Sequence, residues 1–173
     1  MKLILTSLIS LTIGFNCLAQ SYNTKSTHAL KNETATTIQS GYDAYKKIAL
    51  NIWDYAELGY KEKKSSALLQ QTLKDNGFTV EAGVAGMPTA FVATYGSGSP
   101  VIGILAEYDA LPGLSQDNSS TKTTMANKPN GHGCGHHLFG TGSVAAGKAK
   151  KKLLESGKIK GTIKVFGCPA EEG

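Results

Sequence analysis

The sequence contains no arginine: its 18 basic residues are all lysine, set against 13 acidic ones, for a formal charge of +5. The planar guanidinium fork that reads guanine edges or grips a carboxylate at two points is therefore missing. The lysine run Lys148, Lys150, Lys151 and Lys152 reads as a solvated face, since it also lacks the aromatic interleaving of a nucleic-acid surface. Proline is scarce at 5 residues, and with 20 glycines and 40% hydrophobic residues the composition excludes collagen-like and disordered chains. The length of 173 residues is short of an eight-stranded βα barrel and suits one ordinary domain. Long apolar runs are nearly absent. The longest, residues 3–15, falls short of the roughly 20 residues that span a bilayer.

What is present begins with that run. Lys2, the apolar stretch 3–15 and Cys17-Leu18-Ala19 predict a signal peptide over residues 1–19, cleaved before Gln20. The mature chain is then expected to be exported, periplasmic or secreted, with no membrane attachment. Residues 20–37 read as a polar leader. From Ile38 the apolar residues Tyr42, Tyr45, Ile48 and Ile52 recur at helical spacing, and Gly59 closes the pattern. A second helix is expected over 61–76 and a third over 136–156. Strands are expected over 78–81, 89–95, 101–106 and 162–166. The residues 96–100 between two of them read as a hairpin turn, and the apolar run 101–105 suits a strand covered on both faces. This alternation predicts an α/β domain: three layers, a mixed sheet with helices on both faces.

The chemistry concentrates in Gly131-His132-Gly133-Cys134-Gly135-His136-His137, one thiol and three imidazoles at the start of a helix. Thiolate and neutral imidazole are transition-metal ligands, and the interleaved glycines let Cys134 and His136 converge on one ion. Glu171 and Glu172 follow the last strand. Beside a metal, one carboxylate can ligate while another serves as general base. Glu107 and Asp109 end the most apolar strand, where open α/β sheets carry their sites, and a carboxylate there can orient a ligating histidine. Gly140-Thr141-Gly142-Ser143-Val144-Ala145 matches a dinucleotide pattern but follows no strand, so close helix packing is the better reading. Cys168 is read as a packing residue, with a bridge to Cys134 as the alternative in an oxidising compartment.

Together these motifs resemble a family of metal-dependent peptidases and amidohydrolases that includes aminoacylases, indole-acetyl-amino-acid hydrolases and aminobenzoyl-glutamate hydrolases, the last branch most closely. The resemblance covers residues 38–173. It rests on Trp53-Asp54-Tyr55-Ala56-Glu57-Leu58-Gly59, on Gly86-Met87-Pro88-Thr89-Ala90-Phe91, on Glu107-Tyr108-Asp109-Ala110-Leu111-Pro112-Gly113, on residues 131–137 and on Gly167-Cys168-Pro169-Ala170-Glu171-Glu172-Gly173. It implies a catalytic α/β domain with a dimerisation domain inserted elsewhere, so that residues 38–173 are the N-terminal part of the catalytic domain. It implies a pair of divalent metals, zinc or manganese. On matching positions Cys134 corresponds to the bridging ligand, His136 and Glu172 to further ligands, Glu171 to the catalytic base and Asp109 to the carboxylate that orients the site. His137 stands where one branch carries Asp, and Glu107 where distant relatives place a ligating His.

The implied reaction is hydrolysis of an amide or peptide bond in an N-acyl amino acid, aminobenzoyl-glutamate or a dipeptide. The implied partners are that small-molecule substrate and a second copy or related subunit, with no nucleic acid. Residues 20–173 alone are expected to be inactive, because they offer three candidate ligands where the family uses about five. Two other readings stand beside this one: a thiol hydrolase with Cys134 as nucleophile, and an exported metal-binding module without catalysis.

Overall fold

The computed structural model describes residues 24–173. The signal peptide read over 1–19 lies outside them. The segment read as a polar leader is helical from its first described residue, as α1 (Thr24–Ser40). Only half-buried residues such as Leu30 and Ile38 face the rest of the chain, so no apolar stripe announces this helix. Gly41 separates it from α2 (Tyr42–Tyr55), which buries Ile48, Ala49 and Ile52 on one face. α2 stops at Ala56, whose left-handed backbone (φ 41°) returns its N–H to the Ile52 carbonyl. α3 (Lys63–Asp75) buries Leu69 and Leu73. Then come β1 (Thr79–Ala82), β2 (Phe91–Ser97) and β3 (Val101–Glu107). A small pair, β4 (Leu111–Pro112) with β5 (Asn130–Gly131), brackets a polar loop. α4 (His136–Glu155) and β6 (Gly161–Cys168) complete the order.

Four strands form a mixed sheet in the order β1-β2-β6-β3, with β6 antiparallel to β2 and parallel to β3. The α/β class and the mixed sheet agree with the sequence reading; the hairpin does not. β6 lies between β2 and β3, so residues 96–100 reverse the chain without pairing its flanks. Thr162 of β6 occupies the gap, its N–H donating to the Pro100 carbonyl (2.9 Å) and its hydroxyl to the Gly98 carbonyl (2.8 Å). The turn residues dictate a local reversal, whereas neighbour choice follows burial: Ile163 and Val165 of β6 are almost wholly buried and take the centre.

β3 is the second correction. It is an edge strand, and Val101 and Leu105 are 58% and 54% exposed. Its register with β6 turns Ile104 and Ala106 towards the helices and Val101, Gly103 and Leu105 away. Among the described residues the run is therefore covered on one face only. α3 and α4 touch each other and the sheet, hence share one face, with α2 packed on both and α1 on α4. The helical layer expected on the opposite face is not among the described residues. The core between sheet and helices gathers Ile48, Ile52, Leu69, Leu73, Phe78, Phe91, Tyr108, Val144, Ile163 and Val165.

The small residues of α4 do pack the helix closely. A Cβ on Gly140 would sit 2.5 Å from the Glu107 carbonyl oxygen. One turn on, the Ser143 hydroxyl donates to the Leu105 carbonyl. These contacts draw the N-terminal half of α4 onto the end of β3.

Candidate metal centre

Three segments meet at one edge of the sheet. β3 and β6 run parallel, with Glu107 level with Cys168, so their C-terminal ends coincide. β3 delivers Glu107 and, two residues on, Asp109. β6 delivers Glu171 and Glu172 after the Pro169–Ala170 turn. The loop before α4 delivers Cys134, and the first residue of α4 is His136; they stand either side of Gly135, whose φ of 95° folds the backbone so that both side chains face the strand ends.

His136 sits at the centre, buried, with Asp109 beneath it at 1% exposure. Its Nδ1 is 2.8 Å from Asp109 Oδ1. A buried carboxylate accepts, so Nδ1 carries a hydrogen, and with a cation bound Nε2 would present its lone pair to it. Around Nε2 stand Glu107 Oε2 at 3.1 Å, Glu171 Oε2 at 3.6 Å and Glu172 Oε1 at 4.0 Å. Two groups of potential ligand atoms fall within 4.8 Å of one another: Cys134, His136 and Glu172, and Glu107, His136 and Glu171. Asp109 Oδ2 also accepts the Glu172 backbone N–H at 3.0 Å, tying the two strand ends together.

The electrostatics call for a cation. Burial raises the Glu107 carboxyl above its ordinary pKa; His136 opposes this, and Glu171, Asp109 and Glu172 add to it by like-charge repulsion. Burial likewise pushes the Cys134 thiol up; the His136 backbone N–H opposes this, while the neighbouring Glu172 carboxylate adds to it. A divalent ion would relieve both. Thiol, imidazole and carboxylate oxygens form a donor set that zinc accepts, and the carboxylate-richer group is one that manganese tolerates.

All five residues singled out from sequence, Cys134, His136, Glu172, Glu171 and Asp109, are thus brought together. Glu107 joins them, on the face that period-two alternation shares with Asp109. His132 and His137 do not. His132 donates through Nε2 to the Ile52 carbonyl (3.0 Å), and its ring lies 5.0 Å from that of His137, centroid to centroid. Both Nδ1 atoms are buried without a hydrogen-bond partner. Burial holds the His132 pKa below its ordinary value and takes that of His137 down to about 4, with the charge of His132 contributing to the latter. Cys134 and Cys168 are both free thiols. A cavity of about 280 Å³ opens beside the cluster, between Leu58, Tyr60, Pro112 and Ala170 on one side and Asp109 and Glu172 on the other.

No family profile matches the chain. Among curated proteins it is 45% identical over 137 residues to one subunit of the p-aminobenzoyl-glutamate hydrolase of Escherichia coli K12, covering 79% of this chain and 28% of that one. It is 34% identical over 128 residues to thermostable carboxypeptidase 1 of Saccharolobus solfataricus, covering 73% and 31%. The chain therefore spans about a third or less of the length of these relatives. Among solved structures, a dinuclear metal-binding peptidase of the M20 family from Bacillus subtilis superposes with a TM-score of 0.66 at 21% identity, over 78% of this chain and 37% of that one, which shows the shared fold. The segment that these matches span is thus similar in sequence to an amide hydrolase and a carboxypeptidase, and shares its fold with a dinuclear metal-binding peptidase.

Proposed function

We propose that the protein is a metal-dependent amidohydrolase that cleaves the amide bond of a small N-acyl amino acid, with aminobenzoyl-glutamate the first candidate. The observation that carries the proposal is His136: Asp109 holds its Nδ1 edge, and two sets of donors close around its Nε2. Cys134, His136 and Glu172 would hold one divalent ion, with Glu107 and Glu171 beside a second. Such ions supply Lewis acidity towards an amide carbonyl and towards water. Glu171, the most exposed carboxylate of the cluster at 53%, would take a proton from water and pass it to the leaving amine. Asp109 holds His136 and the Glu172 backbone in place.

Burial raises the Cys134 thiol, so a thiolate there, as ligand or as nucleophile, would need a neighbouring cation, and a bound divalent ion would be one. Export by the 1–19 signal and association with a second copy or related subunit belong to the same proposal; that the Escherichia coli relative is itself named as one subunit of its enzyme supports the latter.

The test is release of aminobenzoate from aminobenzoyl-glutamate by the full-length protein, with zinc or manganese added and then chelated. Turnover that a chelator removes and metal restores supports the proposal. Turnover that survives chelation but is lost on thiol alkylation would replace it with the thiol mechanism. Metal binding without hydrolysis of any N-acyl amino acid would leave a binding module.

A further inference from the structure

We propose that Glu62 is a positioning residue for the metal centre: its buried carboxylate sets the Pro169–Ala170 turn and so aims Glu171 and Glu172 at His136. The assignment rests on the metal-centre reading above. Glu62 is fully buried and makes no ion pair among the described residues. A buried carboxylate without a cation is unusual and needs hydrogen-bond donors to justify it. Glu62 has two. Its Oε1 accepts the Ala170 backbone N–H at 2.8 Å, and its Oε2 accepts the Thr89 hydroxyl at 3.0 Å.

A helix-capping role is available to Glu62 by position, at the start of α3, but its side chain makes no cap bond there. Glu57 does that work instead, accepting from the Lys64 and Ser65 backbone N–H groups at 3.0 and 2.9 Å. The Glu62 carboxylate is therefore free to reach 108 residues along the chain to the turn. The turn needs holding. Ala170 has a φ of 56°, a left-handed conformation that a residue with a Cβ adopts reluctantly. Its N–H goes to Glu62, and two residues on the Glu172 N–H goes to Asp109. Glu171 and Glu172 are thus presented from a backbone pinned on both sides.

The other end of the clamp is equally fixed. Thr89 is buried, and its carbonyl accepts the Ser66 hydroxyl at 2.7 Å and the Tyr108 hydroxyl at 2.6 Å. Tyr108 lies between Glu107 and Asp109, so one buried polar network touches both strand ends that carry the carboxylates. Gly59 presses on the turn from the same side: a Cβ there would come within 2.9 Å of Ala170 Cβ and 3.1 Å of its Cα.

The experiment is cobalt(II) titration of the purified protein, read by affinity and by the visible spectrum, for wild type, Glu62→Ala, Glu62→Gln and Gly59→Ala, with Ile163→Val as a core control. Glu62→Ala is expected to weaken cobalt binding about 10- to 100-fold, the range for residues that orient ligands. It should alter the d–d bands while keeping the sulfur-to-cobalt charge-transfer band of Cys134. Glu62→Gln keeps an acceptor for the Ala170 N–H and should restore most of the affinity. Gly59→Ala leaves Glu62 intact, displaces the turn sterically, and should reproduce the loss even if Glu62→Ala does not fold. Ile163→Val should lower thermal stability without moving the affinity. Unchanged affinity and spectrum in folded Glu62→Ala or in Gly59→Ala would overturn the assignment. Failure of the wild type to bind cobalt would overturn the metal-centre reading and this assignment with it.

Discussion

Replacing Asp109 by Asn is nearly isosteric, yet the geometry makes it severe. Asp109 accepts two donors at once, His136 Nδ1–H at 2.8 Å and the Glu172 N–H at 3.0 Å, at 1% exposure. An Asn offers one acceptor oxygen and one NH₂. If the oxygen faces Glu172, the NH₂ faces His136 Nδ1 and forces the hydrogen onto Nε2, removing the lone pair that would bind metal. If the oxygen faces His136, the NH₂ opposes the Glu172 N–H and leaves a buried donor unpaired, worth about 1–3 kcal/mol. Either outcome falls on the ligand geometry, and 1.4 kcal/mol is about tenfold in affinity. A loss of about 10- to 100-fold in zinc affinity is therefore expected, measured by competition with a chromophoric chelator. Asp109→Glu should not rescue it, because the longer side chain overfills a buried site. Zinc affinity of Asp109→Asn within twofold of wild type would refute the tautomer argument.

Two glycines of α4 should respond oppositely to alanine. Gly140→Ala drives a Cβ to 2.5 Å from the Glu107 carbonyl oxygen, and overpacking of about 1–3 kcal/mol exceeds the helix-propensity gain of about 1 kcal/mol, so the melting temperature should fall. Gly142→Ala meets nothing within 4 Å and should stabilise by roughly 0.5–1 kcal/mol in the same melts. His137, with its pKa down at about 4, stays neutral when folded while the unfolded ring titrates near the ordinary value of about 6.5. The unfolded state thus binds more protons below pH 6.5, and stability should fall from pH 7 to pH 5 by at most about 2 kcal/mol; denaturant unfolding of metal-free His137→Gln should show a flatter dependence. Mass spectrometry of the exported protein should place the mature N-terminus at Gln20, whereas retention of Lys2 in material recovered outside the cytoplasm would refute the cleavage site.

Much of the site is legible in the sequence because its chemistry is local. Cys134 and His136 lie two residues apart around one glycine, Glu171 and Glu172 are adjacent, and Asp109 follows an obvious strand. What is illegible depends on distant pairing. The segment 96–100 looks like a hairpin until β6, some 60 residues later, inserts between its flanks. The run 101–105 looks doubly buried, whereas among the described residues its strand lies at the edge and is covered on one face. Glu62 stands among Lys61, Lys63 and Lys64, with no local signal of burial; only the fold shows it buried and bonded to Ala170. His132 and His137 share the densest motif with the ligands, and sequence spacing alone does not reveal that they turn towards Ile52 and each other.

The central claim is that Cys134, His136 and Glu172 hold a divalent ion. Its most direct measurement is zinc K-edge X-ray absorption of the purified, zinc-loaded protein, compared with Cys134→Ser and His136→Ala. The account predicts one sulfur scatterer at about 2.3 Å with nitrogen and oxygen near 2.0–2.2 Å, loss of the sulfur shell in Cys134→Ser, and loss of stoichiometric zinc in His136→Ala. A first shell without sulfur in the wild type, or stoichiometric zinc retained by His136→Ala, would contradict it.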